Sequence, residues 1–94
     1  MHQPKDLVQI LAEVRSLLAL STESDWAALT PEEVITILDR EMTSVQATNR
    51  VCNLIELRSL FAPTAEIQEI SMANGWSERY MELSSHFDVA IQGG

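Results

Sequence analysis

The sequence predicts an all-α fold, a small bundle of four or five helices in a single domain spanning 1–94. Three observations carry this. Apolar residues recur at spacings of three and four along most of the chain. A helix-start box stands at Thr30-Pro31-Glu32-Glu33. The three glycines, Gly75, Gly93 and Gly94, fall where helical patterns end.

The first helix is expected over 4–20. Pro4 suits the first helical position, and Asp6 meets the positive end of the helix dipole. Leu7, Leu11, Val14 and Leu18 form one stripe, widened by Ile10 and Leu17, with Gln9, Glu13 and Ser16 opposite. The polar run Ser21-Thr22-Glu23-Ser24-Asp25 ends the pattern, and Ser24 or Asp25 is placed to cap a short turn through Trp26, Ala27 and Ala28.

A second helix starts at the Thr30 box, where the Thr30 hydroxyl accepts from the Glu33 amide and the Glu33 carboxylate reaches back. From it run Ile35, Leu38, Met42, Val45, Thr48 or Asn49, Cys52 and Ile55, with no Gly or Pro between Pro31 and Pro63. One long helix fits that run. The poor helix formers of Thr43-Ser44-Val45-Gln46-Ala47-Thr48-Asn49 favour two helices instead, over 31–43 and 46–61.

Pro63 disfavours helix at Ala62, and Thr64 is positioned to restart a short one carrying Ala65, Ile67 and Ile70, closed at Asn74-Gly75. A short strand through Ile70-Ser71-Met72 is the rival, weakened by the lack of a mate. Ser77 is expected to cap the last helix, whose stripe is Trp76, Tyr80, Leu83, Phe87 and Ile91.

Composition narrows the function. The chain has fourteen Asp and Glu against six Lys and Arg, net −8, with 46% hydrophobic residues. That apolar content suits a folded domain rather than an acidic tail. A chain of this length buries only about 60–65% of its extended surface, which leaves little room for a deep catalytic cleft. The acids gather in two blocks: 21–41, where six acids face Arg40 alone, and 59–94, where five face Arg79 alone. Phosphate backbones and anionic lipid repel such a surface unless a compact basic patch offsets it, and Lys5, Arg15, Arg40, Arg50, Arg58 and Arg79 are dispersed. Nucleic acid and membrane are therefore not expected partners. No run approaches the roughly 18 apolar residues of a membrane span, and the first residues lack a secretory pattern. A cytoplasmic location is the expectation. The single Cys52 has no intramolecular partner and reads as a small buried hydrophobe in a reducing compartment.

The residue sets that resemble chemistry have structural readings of greater weight. Ser85, His86 and Asp88 include the types of a hydrolase triad, but residues one and two apart on a helix point away from each other. Glu78, Glu82 and His86 share a helical face yet span about 12 Å at 1.5 Å per residue, too wide for one ion. Only the Glu82–His86 pair is usable, and a pair makes a weak metal site. Glu66 and Glu69 resemble paired carboxylates, but acids in a first turn answer the helix dipole. No catalytic residues, metal or cofactor are expected, and the chain is read as a non-enzyme.

What remains is a small acidic protein-binding module, of inhibitor or immunity type, that caps a basic partner protein. The expected interface residues are Glu23, Asp25, Trp26, Glu32, Glu66, Glu69 and Trp76, in which two tryptophans stand among carboxylates as anchors with a charged rim. The competing reading of both tryptophans is as core or staple residues. The alternative function is a self-associating homodimer, structural or regulatory, that buries the stripe of the first helix and the 35–55 seam against a symmetry mate; Asn49 would fix its register if the helix runs on, and caps or closes a loop if the helix divides.

Overall fold

The computed structural model describes residues 4–22, 27–62 and 65–92. Within them the chain forms five α-helices and no strand: α1 (Pro4–Ala19), α2 (Pro31–Thr48), α3 (Leu54–Leu60), α4 (Glu66–Asn74) and α5 (Ser77–Gln92). The expected all-α bundle is what forms.

The stripe of α1 is buried as its periodicity requires: Leu7, Leu11, Val14 and Leu18 all lie in the core. The α2 start box is complete. Thr30 Oγ1 accepts from the Glu33 amide at 3.2 Å, and Glu33 Oε1 accepts from the Thr30 amide at 2.9 Å. From this fixed start α2 buries Val34, Leu38, Glu41 and Val45. Leu57, Leu60 and Phe61 close the core from α3, Ile67 and Ile70 from α4, and Tyr80, Leu83 and Phe87 from α5. Phe61 stacks on Phe87 with ring centroids 4.0 Å apart and on Tyr80 at 6.1 Å. Such offset stacks add to what area burial contributes.

Several expectations are corrected. The long run after Pro31 does divide into two helices, but at 49–53 rather than 44–45. Thr43 to Thr48 remain helical because burying Val45 outweighs weak local propensity, which tertiary packing commonly overrides. Thr48 Oγ1 also donates to the Ser44 carbonyl at 2.8 Å, and Ser44 Oγ to the Arg50 carbonyl at 2.6 Å. Asn49 then stops the helix in the left-handed region at φ 59°, so it caps α2 rather than setting a dimer register. Cys52 is exposed, not buried, because the α2–α3 joint turns outward. Ile55, placed in the 35–55 seam, is 84% exposed, while Leu38 and Val45 of that seam are buried in the protein's own core. The α1 residues Leu7, Leu11, Val14 and Leu18 are likewise covered intramolecularly, so of the surface expected to meet a symmetry mate these and the buried seam positions are taken up by the protein's own core, while Cys52 and Ile55 stay exposed.

Ser77 begins α5 instead of preceding it. The Trp76 carbonyl accepts the first helical bond, from the Tyr80 amide at 2.9 Å, which makes Trp76 the capping residue. The Ile70–Met72 segment is helical within α4. Gly75 at φ 81° closes α4 as expected. The expected caps at Ser24, Asp25 and Thr64 lie outside the described residues.

Candidate interaction surface

Arginines hold the helices together, and in doing so they determine which charges face outward. Arg15 Nε meets Asp39 Oδ1 at 2.6 Å, tying α1 to α2. Arg79 forks onto Glu13, Nε to Oε2 at 2.5 Å and Nη2 to Oε1 at 2.7 Å, tying α5 to α1, with Glu82 a further 3.6 Å contact. The guanidinium of Arg79 holds the Glu13 carboxyl below its usual range, chiefly by this hydrogen bonding. Arg40 spans Glu41 of α2 and Glu56 of α3, and the Arg40 guanidinium is made harder to deprotonate by hydrogen bonds to Glu56 and then Glu41.

Glu41 is the buried charge of this network, at 0% exposure. Its Oε1 accepts from the Cys52 amide at 2.7 Å and its Oε2 from the Asn53 amide at 3.0 Å. A buried carboxylate is tolerable only when charge and hydrogen bonds surround it, and Arg40 plus two backbone donors supply both. Asn53 Oδ1 in turn accepts from the Glu56 amide at 3.1 Å and starts α3. Glu41, one of the six acids of the 21–41 block, is thereby removed from the acidic surface. Its position in the stripe Val34, Leu38, Glu41, Val45 was the available signal, an acid at a core register.

The expected interface residues divide into four groups. Glu32 is exposed in the first turn of α2 and makes no ion pair with a described residue. Glu66 and Glu69 are half-buried in the first turn of α4, whose capping residue Ala65 offers no side-chain hydrogen bond, so these carboxylates face the open dipole end. They too make no ion pair with a described residue, and neither does Glu78 in the first turn of α5. Trp76 is half-buried, its ring edge-on to Tyr80 at 6.3 Å, and its indole Nε1 donates to Ser21 Oγ at 2.9 Å. It is therefore an anchored corner residue with one face at the surface rather than a free anchor. Glu23, Asp25 and Trp26 lie outside the described residues.

Asn74, singled out only as the neighbour of Gly75, does more than close a helix. Its Oδ1 accepts from the Thr22 amide at 2.9 Å and from Thr22 Oγ1 at 3.2 Å, and its Nδ2 donates to the Thr22 and Ile70 carbonyls, both at 2.9 Å. With the Trp76–Ser21 bond, this pins the end of α1 to the α4–α5 corner. Ser21 and Thr22 are thereby held against Trp76 and Asn74. Glu66 begins α4 about 12 Å from Asn74 along the helix, at eight residues of 1.5 Å each.

The residue sets resembling active sites are not assembled. Ser85 Oγ donates to its own helix at the Met81 carbonyl, 3.1 Å away, and Glu82 turns to Arg79. Among the described residues no group of three or more His, Cys, Asp or Glu side chains converges, and no helix is long and apolar enough to cross a membrane. In comparisons with known proteins, no family model, curated protein or solved structure matches this chain.

Proposed function

We propose that this chain is a non-enzymatic acidic protein-binding module that caps a basic partner protein, in the manner of an inhibitor or immunity-type protein working in the cytoplasm. One observation carries the reading. Arg15, Arg40 and Arg79 are engaged in pairs between or along helices, while Glu32, Glu66, Glu69 and Glu78 have no counter-charge among the described residues. Pairing leaves the net charge of −8 unchanged but concentrates the uncompensated negative charge on these carboxylates, and acidic patches of this kind accelerate encounter with cationic surfaces. Trp76 supplies an aromatic face at a rigid corner, the kind of anchor on which interface energy concentrates.

The test is kinetic. With a basic protein recovered from the native lysate at low salt, association should be salt-sensitive. The double variant Glu66→Lys, Glu69→Lys should bind on the order of tenfold more slowly with dissociation little changed, as expected for rim charges. Equal association rates for wild type and variant would remove these carboxylates from the interface.

A further inference from the structure

The α2–α3 joint carries an outward apolar feature of opposite electrical character to the rest of the surface. Cys52, Leu54 and Ile55 are exposed there, Ile55 at 84%, with Val51 half-buried beneath them. This knob is held rigid. Glu41 grips the Cys52 and Asn53 amides, and Asn53 caps α3. Arg50 precedes the knob, and Arg58 lies one turn beyond Leu54 and Ile55 on the same face of α3. Both arginines are exposed, and neither makes an ion pair with a described residue. The protein of net −8 thus presents an apolar knob flanked by two uncompensated cations.

A second apolar feature lies between two other helices. α1 and α5 leave an open groove of about 470 Å³ between them, with Ile10, Leu83, Val89 and Ala90 forming its apolar part. Asp6 and Glu13 stand at its edge, and Arg79, also in it, is neutralised by its fork onto Glu13. Val89 is 53% exposed and Asp6 is an exposed, unpaired carboxylate among the described residues. The groove includes no residue of α3, and α3 is fastened to α2 through Glu41 and Arg40. A chain does not seat its own knob in its own groove.

We propose that the knob of one copy docks in the α1–α5 groove of a second copy, with Leu54 and Ile55 against Ile10 and Val89, and Arg50 or Arg58 toward Asp6. Charge identifies the occupant. A basic-rimmed apolar knob is repelled by the cationic partner that the acidic surface attracts, whereas a second copy offers an apolar slot whose unpaired acid is Asp6, Glu13 being matched by Arg79 in the same groove. Because knob and groove are different surfaces, the contact is head-to-tail and extends into a ring or an open chain rather than stopping at a symmetric pair. It involves none of the carboxylates assigned to the basic partner, so the two proposals fail separately.

The experiment is light scattering of the purified full chain over a concentration series, with wild type, Ile55→Asp and Val89→Asp. Circular dichroism confirms that each variant is folded; both replaced side chains are solvent-facing. Wild type should grow in mass with concentration beyond a dimer, less so at high salt. Each variant should remain monomeric alone. An equimolar mixture of the two should form a one-to-one dimer that grows no further, because one variant keeps the groove and the other keeps the knob. A wild type that stays monomeric, a single variant that still associates, or a mixture that stays monomeric overturns the proposal; Val89→Asp associating alone would point to a symmetric knob-to-knob contact.

Discussion

Replacing Glu41 by Ala removes one side chain and undoes the joint between α2 and α3. Three donors converge on that carboxylate: the Cys52 amide at 2.7 Å, the Asn53 amide at 3.0 Å and Arg40 Nη2 at 3.0 Å. Arg40 is exposed, so water and Glu56 recover most of its interaction. The two amides are part-buried, and each loses its acceptor at a cost of about 1–2 kcal/mol, the lower part of the range for an orphaned buried group. The expected destabilisation is about 2–4 kcal/mol, a large share of the roughly 5–14 kcal/mol that a domain of this size commands. Glu41→Gln keeps the volume and one acceptor oxygen but turns an amide nitrogen toward the second donor, and should lose about 1–2 kcal/mol. Urea denaturation followed by circular dichroism measures both as shifts in the transition midpoint at unchanged slope. A loss below about 0.5 kcal/mol for Glu41→Ala, the level of an ordinary surface substitution, would refute the claim that this carboxylate organises the joint.

Three further outcomes are expected. Tyr80 is the protein's single tyrosine, and burial pushes its phenol up to about 12 from an ordinary 10.0, the nearby Ser84 hydroxyl offsetting this in part. Tyrosinate absorbance should therefore appear near pH 12 in the folded protein. The unfolded chain ionises first, so the contribution of Tyr80 to stability should be constant below pH 10 and be lost as pH rises from 10 toward 12. Cys52 should react with a thiol reagent at the rate of an open thiol in the folded protein, without prior unfolding. Gly75→Ala should cost about 1 kcal/mol in the same urea assay, since φ 81° strains any L side chain while the space around it is open.

Elements with a local code were legible in the sequence. The α1 stripe, the Thr30–Glu33 box, the Gly75 stop and the Tyr80–Leu83–Phe87 face depend on spacing or on single caps, and each stands where periodicity placed it. The end of α2 was not legible, because its determinants are non-local. Burial of Val45 keeps weak helix formers helical, and the stop at Asn49 is completed by a carboxylate eight residues earlier that grips the chain three and four residues later. Cys52 was misplaced for the same reason, since a joint that turns outward exposes residues that a continuous helix would bury. At the candidate interface, the carboxylates were found by composition alone. What composition misses is pairing: Asp39, Glu13, Glu41 and Glu56 are matched to arginines on other helices or within the joint, while Glu32, Glu66 and Glu69 are not. The Thr22–Asn74 clasp links residues 52 apart in sequence, and no local pattern announces it.

The central claim is that unpaired carboxylates on this fold draw in a basic protein. Its most direct test is parallel affinity capture from native lysate with immobilised wild type and with Glu66→Lys, Glu69→Lys, followed by measurement of association rates for whatever wild type retains. The account predicts that wild type retains a cationic protein that salt releases, and that the charge-reversed chain retains little of it and associates more slowly. Equal retention by both chains, or retention that salt leaves untouched, would contradict it.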